Sequence, residues 1–120
     1  MCTSNTVGQI EARASQEMNR FLQRTLGRGA SNVTATLCKD VLFVHLRDVL
    51  TTGEKCLAGR GTVHEADGGA MVREVRNTLV RRSREELVST LTGVVGRTAV
   101  AVFHDLDPTT GDEVIAFLFP

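Results

Sequence analysis

Two pairs of strand-like segments, set apart by helical segments, limit the folds open to this chain. Residues 32–38 alternate between apolar and polar side chains, which is typical of a half-buried strand. The apolar residues 41–46 follow after only two residues, a spacing that predicts a β-hairpin. Residues 95–104 and 113–119 form a second pair around a turn that contains proline and glycine. We therefore expect two hairpins.

The segment before the first hairpin has the periodicity of an amphipathic helix. Between residues 7 and 26, apolar side chains recur on one face at 100° per residue. Ser4 or Asn5 is expected to cap the start of this helix. Gly27 is expected to end it, because glycine accepts the left-handed conformation that often closes a helix.

The middle of the chain is predicted to hold a short helix and a long helix. Thr51 and Glu54 have the spacing of a capping box, so a short helix is expected over residues 52–58. The glycine-rich residues 59–69 predict a mobile loop. A second helical period, with Val72, Val75 and Leu79 on its apolar face, then predicts a long helix over residues 70–91.

These elements predict an α+β fold in the order α-ββ-α-α-ββ. The expected architecture is a two-layer sandwich, in which two long helices and one short helix pack on one face of an antiparallel four-stranded sheet. A length of 120 residues without a linker predicts a single domain over residues 1–120.

Composition excludes several classes of partner. The 14 basic and 14 acidic residues balance, which argues against a strongly basic nucleic-acid binder and a polybasic membrane binder. The chain has no Trp, no Tyr and five Phe, too few aromatic rings for a base-stacking platform. No apolar run reaches the length of a membrane span, and no signal peptide is evident. We expect a cytoplasmic protein with no direct membrane insertion.

Residue types that carry metal or covalent chemistry occur without a recognisable spacing. The histidines show no helical i, i+4 pair, and the odd number of cysteines includes no C-x-x-C pair. The sequence therefore predicts no metal site, no cofactor and no catalytic residue. The residues concerned are His45, His64, His104, Cys2, Cys38 and Cys56.

Gly27, Arg28 and Gly29 form one candidate ligand site at the end of the first helix. The glycines let backbone amides approach a ligand, and the guanidinium of Arg28 matches a carboxylate or a phosphate. The alternative interpretation is a helix end followed by a solvated arginine.

Arg76 is the second candidate. In the predicted long helix, which Gly93 is expected to end, it lies within about 30° of the centre of the apolar face. An unpaired charge there is costly, so Arg76 should pair with a carboxylate, cap a sheet end or bind an anion. A structural arginine, either paired or extended along the surface, is the alternative.

Four short stretches occur in an order that resembles the MpsC-like family, a group of small bacterial proteins. The stretches are residues 26–29 (LGRG), 49–51 (VLT) with Glu54, Arg76, and 91–93 (LTG) followed by Asp105 and 110–112 (TGD). The resemblance spans residues 8–119, although Ala30 stands where this family commonly has a proline. The resemblance favours a role for the positions that these motifs share, and it implies no catalytic residues. The shared positions are Arg28, Thr51, Glu54 and Arg76.

The family is named after a Na⁺-translocating membrane-potential-generating system, whose membrane partners have been tied to cation and inorganic-carbon uptake. The resemblance therefore implies a non-enzymatic soluble accessory or regulatory module. It would lie at the inner membrane through an integral membrane transport protein.

Two further expectations come from the residues themselves. In the alternative function, Arg28 and Arg76 converge on one small-anion pocket lined by Glu54, in a binding protein or an enzyme. Exposed sheet edges and the apolar residues 114–119 also predict a homodimer.

Overall fold

The computed structural model describes residues 6–58 and 65–120, with residues 65–67 described only as backbone. Its elements are α1 (Val7–Leu26), β1 (Asn32–Cys38), β2 (Val41–Arg47), α2 (Thr52–Leu57), α3 (Glu65–Arg82), α4 (Arg84–Val95), β3 (Ala101–Asp107) and β4 (Asp112–Leu118). The predicted α+β class is confirmed, because the helices pack on a four-stranded antiparallel sheet.

The two predicted hairpins join through their second strands. The strand order is β1-β2-β4-β3, and every neighbouring pair is antiparallel. The pairing of Val44 with Ile115 joins two inward-facing residues across the central β2–β4 contact. Since side chains alternate between the faces of a sheet, this register directs one face of all four strands toward the helices.

The core lies between that face and the helices. Helix α1 packs on β1 and α4, and α3 packs on β3. The largest buried apolar side chains come from α1, α4 and every strand except β1, together with the segments that follow β2 and β4. They are Met18, Leu42, Leu46, Leu50, Leu87, Leu91, Leu106, Ile115, Phe117 and Phe119. The opposite face of the sheet stays open, and Phe43 and Phe103 there are 45% and 60% exposed.

The second helical segment differs from the prediction at both ends and in its middle. The expected long helix over 70–91 is two helices, because regular helical geometry stops at Ser83 (φ −95°, ψ 7°). Gly93 does not end the second helix. That helix continues to Val95 and closes at Gly96, which takes the left-handed conformation at φ 85°. The strand predicted from residue 95 therefore begins only at Ala101.

Two other boundaries also need correction. The first helix is capped by Thr6, whose hydroxyl accepts from the Gln9 amide at 3.1 Å, whereas Ser4 and Asn5 lie outside the described residues. The predicted loop over 59–69 is wrong for residues 65–69, which are helical, and its residues 59–64 lie outside the described part of the chain. Gly27 ends α1 in the left-handed conformation at φ 77°, as predicted.

The inner face of α3 is rotated from the one that periodicity suggested. Val72, Arg76 and Val80 are buried, while Val75 is 62% exposed. Arg76 therefore lies in the middle of the buried face, within the apolar side of the helix as predicted. In residues 6–58 and 65–120, no helix is both long and apolar enough to cross a membrane.

Candidate functional site

Arg76 is the centre of a buried polar arrangement. Its side chain is 1% exposed and lies between two carboxylates. Nη1 is 3.2 Å from Oε1 of Glu54, and Nη2 is 3.6 Å from Oε1 of Glu113. Nη1 also donates to the carbonyl oxygen of Val49 at 3.3 Å. We call Glu54, Arg76 and Glu113 the buried ion cluster.

Glu113 reaches this cluster because of its place in β4. It faces inward with Ile115 and Phe117, which occupy alternate positions along the strand, and it is 2% exposed. The 3.6 Å distance to Arg76 is too long for a hydrogen bond, and Oε2 has no hydrogen-bond partner among the described residues. Burial raises the pKa of Glu113 to about 7, and the charge of Arg76 opposes that rise. The cluster can therefore gain or lose a proton near neutral pH.

Glu54 is held in place by the start of α2. Its Oε1 accepts from the Thr51 amide at 2.8 Å, and the Thr51 hydroxyl accepts from the Glu54 amide at 3.2 Å. Thr51 and Glu54 therefore form a capping box, in which each side chain satisfies the other residue's amide. The same carboxylate serves both the helix cap and Arg76.

Arg28 lies just past the end of α1 and points at the chain that leaves β2. Its guanidinium donates to the carbonyl oxygens of Leu50 at 2.7 Å and Asp48 at 3.0 Å. It also lies 3.8 Å from the Asp48 carboxylate. The turn at Gly27 and Gly29 orients this side chain, and its Nε donates a hydrogen bond to the Gly29 carbonyl oxygen at 3.2 Å.

Both arginines therefore hold one short stretch, residues 48–50, which we call the junction segment. Arg28 binds the carbonyls of its first and last residues, and Arg76 binds the carbonyl of Val49. The described contacts link Glu54 to Arg76, and none of them links it to Arg28. Each guanidinium group already contacts protein oxygens. A shared anion pocket at Arg28 and Arg76 stays a prediction.

The junction segment is also fixed to the turn between β3 and β4. The Val49 amide donates to the Gly111 carbonyl at 2.9 Å, and the Asp48 amide donates to Oδ1 of Asp112 at 3.2 Å. The other carboxylate oxygen of Asp112 lies 3.1 Å from Nε2 of His45. The site is thus a network that joins α1, α3 and both hairpins through one segment.

Surface recesses lie beside this network, and the first of them shares Asp112 with it. This recess has a volume of about 450 Å³ and is lined by Arg73, Asp105, Asp107 and Asp112 with three uncharged residues. There the bidentate contact of Arg73, at 2.8 and 2.5 Å, lowers the pKa of Asp105 to about 2. No group of histidine, cysteine and acidic side chains in the described part of the chain could hold a metal ion.

The second recess lies against β3, near the break between α3 and α4. It has a volume of about 240 Å³ and is lined by Val80, Arg81, Arg84, Val102 and His104. Burial and the nearby Arg81 lower the pKa of His104, which favours the neutral imidazole.

Sequence reasoning identified Arg76 and Glu54 but missed Glu113. A usable signal was present, because Glu113 shares the two-residue alternation of Ile115 and Phe117, and an acidic residue at an inward strand position needs a partner. Sequence reasoning also missed the contact of Arg73 in α3 with Asp105 in β3, because these two residues are 32 positions apart.

The fold and the site define a two-layer α+β protein in which one buried arginine joins the helices to the sheet between two glutamates. A family model described as "Na+-translocating membrane potential-generating system (MpsC)" matches residues 6–120. The chain belongs to the MpsC family, which confirms the resemblance seen in its motifs. It is also similar to "Uncharacterized protein YbcI" of Bacillus subtilis (strain 168), with 26% identity over 110 residues. That alignment covers 92% of this chain and 85% of the relative. No solved structure gives a significant match.

Proposed function

We propose that this protein is a non-enzymatic accessory or regulatory module of a membrane cation or inorganic-carbon transport system, or of a membrane-potential system. The observation that carries the proposal is the family match over residues 6–120, whose description names a Na⁺-translocating system. In this proposal the protein is cytoplasmic and lies at the inner membrane through an integral membrane transport protein.

An exposed apolar surface on the helices supports such a contact. Leu57, Met71 and Val75 are each more than half exposed. Met71 and Val75 share one face of α3 with Gly68, because they follow it by three and seven residues. A Cβ atom at Gly68 would lie 1.6 Å from the Leu57 carbonyl oxygen, so α2 contacts that same face. We call Leu57, Met71 and Val75 the helical patch.

The buried ion cluster gives the helical patch a fixed position. Helix α2 has no buried side chain, so it gains little from apolar packing. Its described contacts include Glu54 with Arg76, the ion pair of Lys55 with Asp48 at 3.1 Å, and the close approach of the Leu57 carbonyl to Gly68. The proposed role of Arg76 is therefore to position a docking surface.

The proposal is tested by affinity capture of the tagged full-length protein from gently solubilised native membranes. We expect the wild-type protein to retain an integral membrane transport protein. Val75→Glu should abolish its recovery, because a charge in the centre of an apolar contact is costly to desolvate. Val7→Glu is the matched control, since Val7 is an exposed valine on the separate helix α1.

Two results would contradict the proposal. Recovery of the protein without any membrane partner would argue against the function itself. Equal recovery with Val75→Glu and with the wild type would argue against the helical patch as the contact surface.

A small-anion site at Arg28 and Arg76 is the alternative function, and it has less support. Its support is that Nη2 of Arg76 has no hydrogen-bond partner among the described residues. Against it stand the contacts of both guanidinium groups with backbone carbonyl oxygens. Thermal unfolding with bicarbonate, phosphate, carboxylates and nucleotides tests this alternative, and unchanged melting temperatures throughout would remove it.

A further inference from the structure

We propose that two copies of this chain associate through the open face of the sheet, about a two-fold axis that runs along β4. The open face consists of the side chains of β2, β4 and β3 that point away from the helices. Phe43 of one protomer contacts Phe103 of its partner in this arrangement, and Arg47 pairs with the partner's Asp107.

The apolar side chains of the open face are centred on β4. Residues 114, 116 and 118 of β4 face outward, and Ala116 pairs with Phe43 on one side and Phe103 on the other. Strand β1 differs, because its outward side chains include the exposed Thr34 and Thr36. The apolar band therefore covers three strands with β4 in the middle, and it excludes the fourth strand.

An apolar band that is centred on β4 is what a two-fold contact along that strand requires. A rotation of 180° about an axis parallel to β4, in the plane of contact, lays β4 on the partner's β4 and exchanges the two strands beside it. β2 then lies over the partner's β3 at the same height. Two sheets that pack face to face keep their strand directions within about 30° of each other, which this geometry allows. Phe43, which is level with Phe103, therefore meets the partner's Phe103.

Two charges at one end of the open face, those of Arg47 and Asp107, are complementary under the same rotation. Asp112 of β4 lies between them and faces its own copy across the axis, while its carboxylate contacts His45 and accepts from the Asp48 amide. His45, Val114 and Asp105 form one outward row across the three strands. Arg47 on β2 and Asp107 on β3 lie two residues further along, on the same face. Asp105 is already held by Arg73 of its own chain, whereas neither Arg47 nor Asp107 has an ion pair among the described residues. The rotation brings these two opposite charges together twice, once on each side of the axis.

The size of the contact predicts a dimer that dissociates on dilution. Three strands of seven residues span a plane of about 350 Å², from strand spacings of about 4.8 Å and a rise of about 3.4 Å per residue. Side chains that project from the sheet enlarge this area. The buried area still stays below the ~800 Å² per partner of a standard interface. Aromatic side chains, including phenylalanine, are enriched at protein interfaces, so Phe43 and Phe103 favour association.

The test is sedimentation equilibrium of the full-length protein over a wide range of concentrations. The wild-type mass should rise from 13.0 kDa towards twice that value. Arg47→Asp and Asp107→Arg should each weaken association on the order of a hundredfold, because each places like charges opposite each other at two sites. The double variant R47D/D107R should restore the wild-type dissociation constant. Arg84→Asp, a charge reversal on the helix side of the protein, should leave that constant unchanged.

Three outcomes would overturn the proposal. In the first, the wild-type protein stays monomeric at the highest concentration. In the second, the single charge reversals leave the dimer intact. In the third, the double variant stays monomeric although its circular dichroism spectrum matches that of the wild type. The proposal does not depend on the membrane partner, because association is measured with purified protein alone. Loss of membrane capture and loss of the dimer are therefore separate results.

Discussion

Replacement of Glu113 by glutamine is expected to stabilise the protein at neutral pH and above. The physical reason is that Glu113 is 2% exposed, its Oε2 has no hydrogen-bond partner among the described residues, and its nearest cation lies 3.6 Å away. Burial raises the pKa of its carboxyl group from 4.5 to about 7. Glutamine has the same shape without the charge, so Glu113→Gln removes the cost of ionising this group inside the protein.

The pH dependence of this effect has a definite sign. Between pH 4.5 and pH 7 the folded wild type binds the Glu113 proton and the unfolded chain releases it, so wild-type stability falls as pH rises through this range. The shift corresponds to about 3 kcal/mol, at 1.36 kcal/mol for each pKa unit. The difference in the free energy of unfolding between Glu113→Gln and the wild type should therefore grow from near zero below pH 4.5 to about 3 kcal/mol above pH 7.

Urea denaturation at a series of pH values measures this difference directly. Glu85→Gln is the matched control, since it removes a carboxylate from an exposed position on α4 and should show no comparable trend. A different result would refute the reasoning. If Glu113→Gln destabilises the protein by several kcal/mol at pH 7, then Glu113 is ionised in the fold and its pair with Arg76 is stabilising.

Three further substitutions test the packing around the site. Gly68→Ala should lower the free energy of unfolding by at least about 2 kcal/mol, because its Cβ would lie 1.6 Å from the Leu57 carbonyl oxygen, and a thermal melt equal to the wild type would contradict this contact. Arg28→Lys should cost about 2 kcal/mol in urea denaturation, since lysine cannot reproduce the two hydrogen bonds of the guanidinium fork, and an unchanged midpoint would mean that these bonds are unimportant. Thr51→Ala should cost about 1 kcal/mol by loss of the cap while Thr51→Ser costs less, and equal losses in the two variants would exclude the hydroxyl as the cause.

The hairpins and the first helix could be predicted because their signals are local. Strand β1 has the predicted bounds, and α1 ends at the predicted Gly27, since alternation, helical period and glycine conformation depend on neighbouring residues. The order β1-β2-β4-β3 could not be predicted in this way, because the pairing of β2 with β4 joins segments about 70 residues apart.

The errors in the second helical segment have a physical origin as well. Glycine is compatible with a helix interior, so Gly93 did not stop α4, whereas Gly96 takes a positive φ and did. Periodicity placed Val75 on the buried face, but α3 turns Arg76 inward, where its guanidinium contacts Glu54 and the carbonyl oxygen of Val49. A partner that is distant in sequence changed which residues of α3 face the core.

The proposed function depends on contact between the helical patch and an integral membrane transport protein. The most direct measurement is photocrosslinking in native cells, with a photoreactive residue at position 75 and, as the control, at position 7. The proposal predicts one crosslinked product at position 75 that contains an integral membrane transport protein and is absent at position 7. A position-75 variant that is expressed and folded but crosslinks to no membrane protein would contradict the claim.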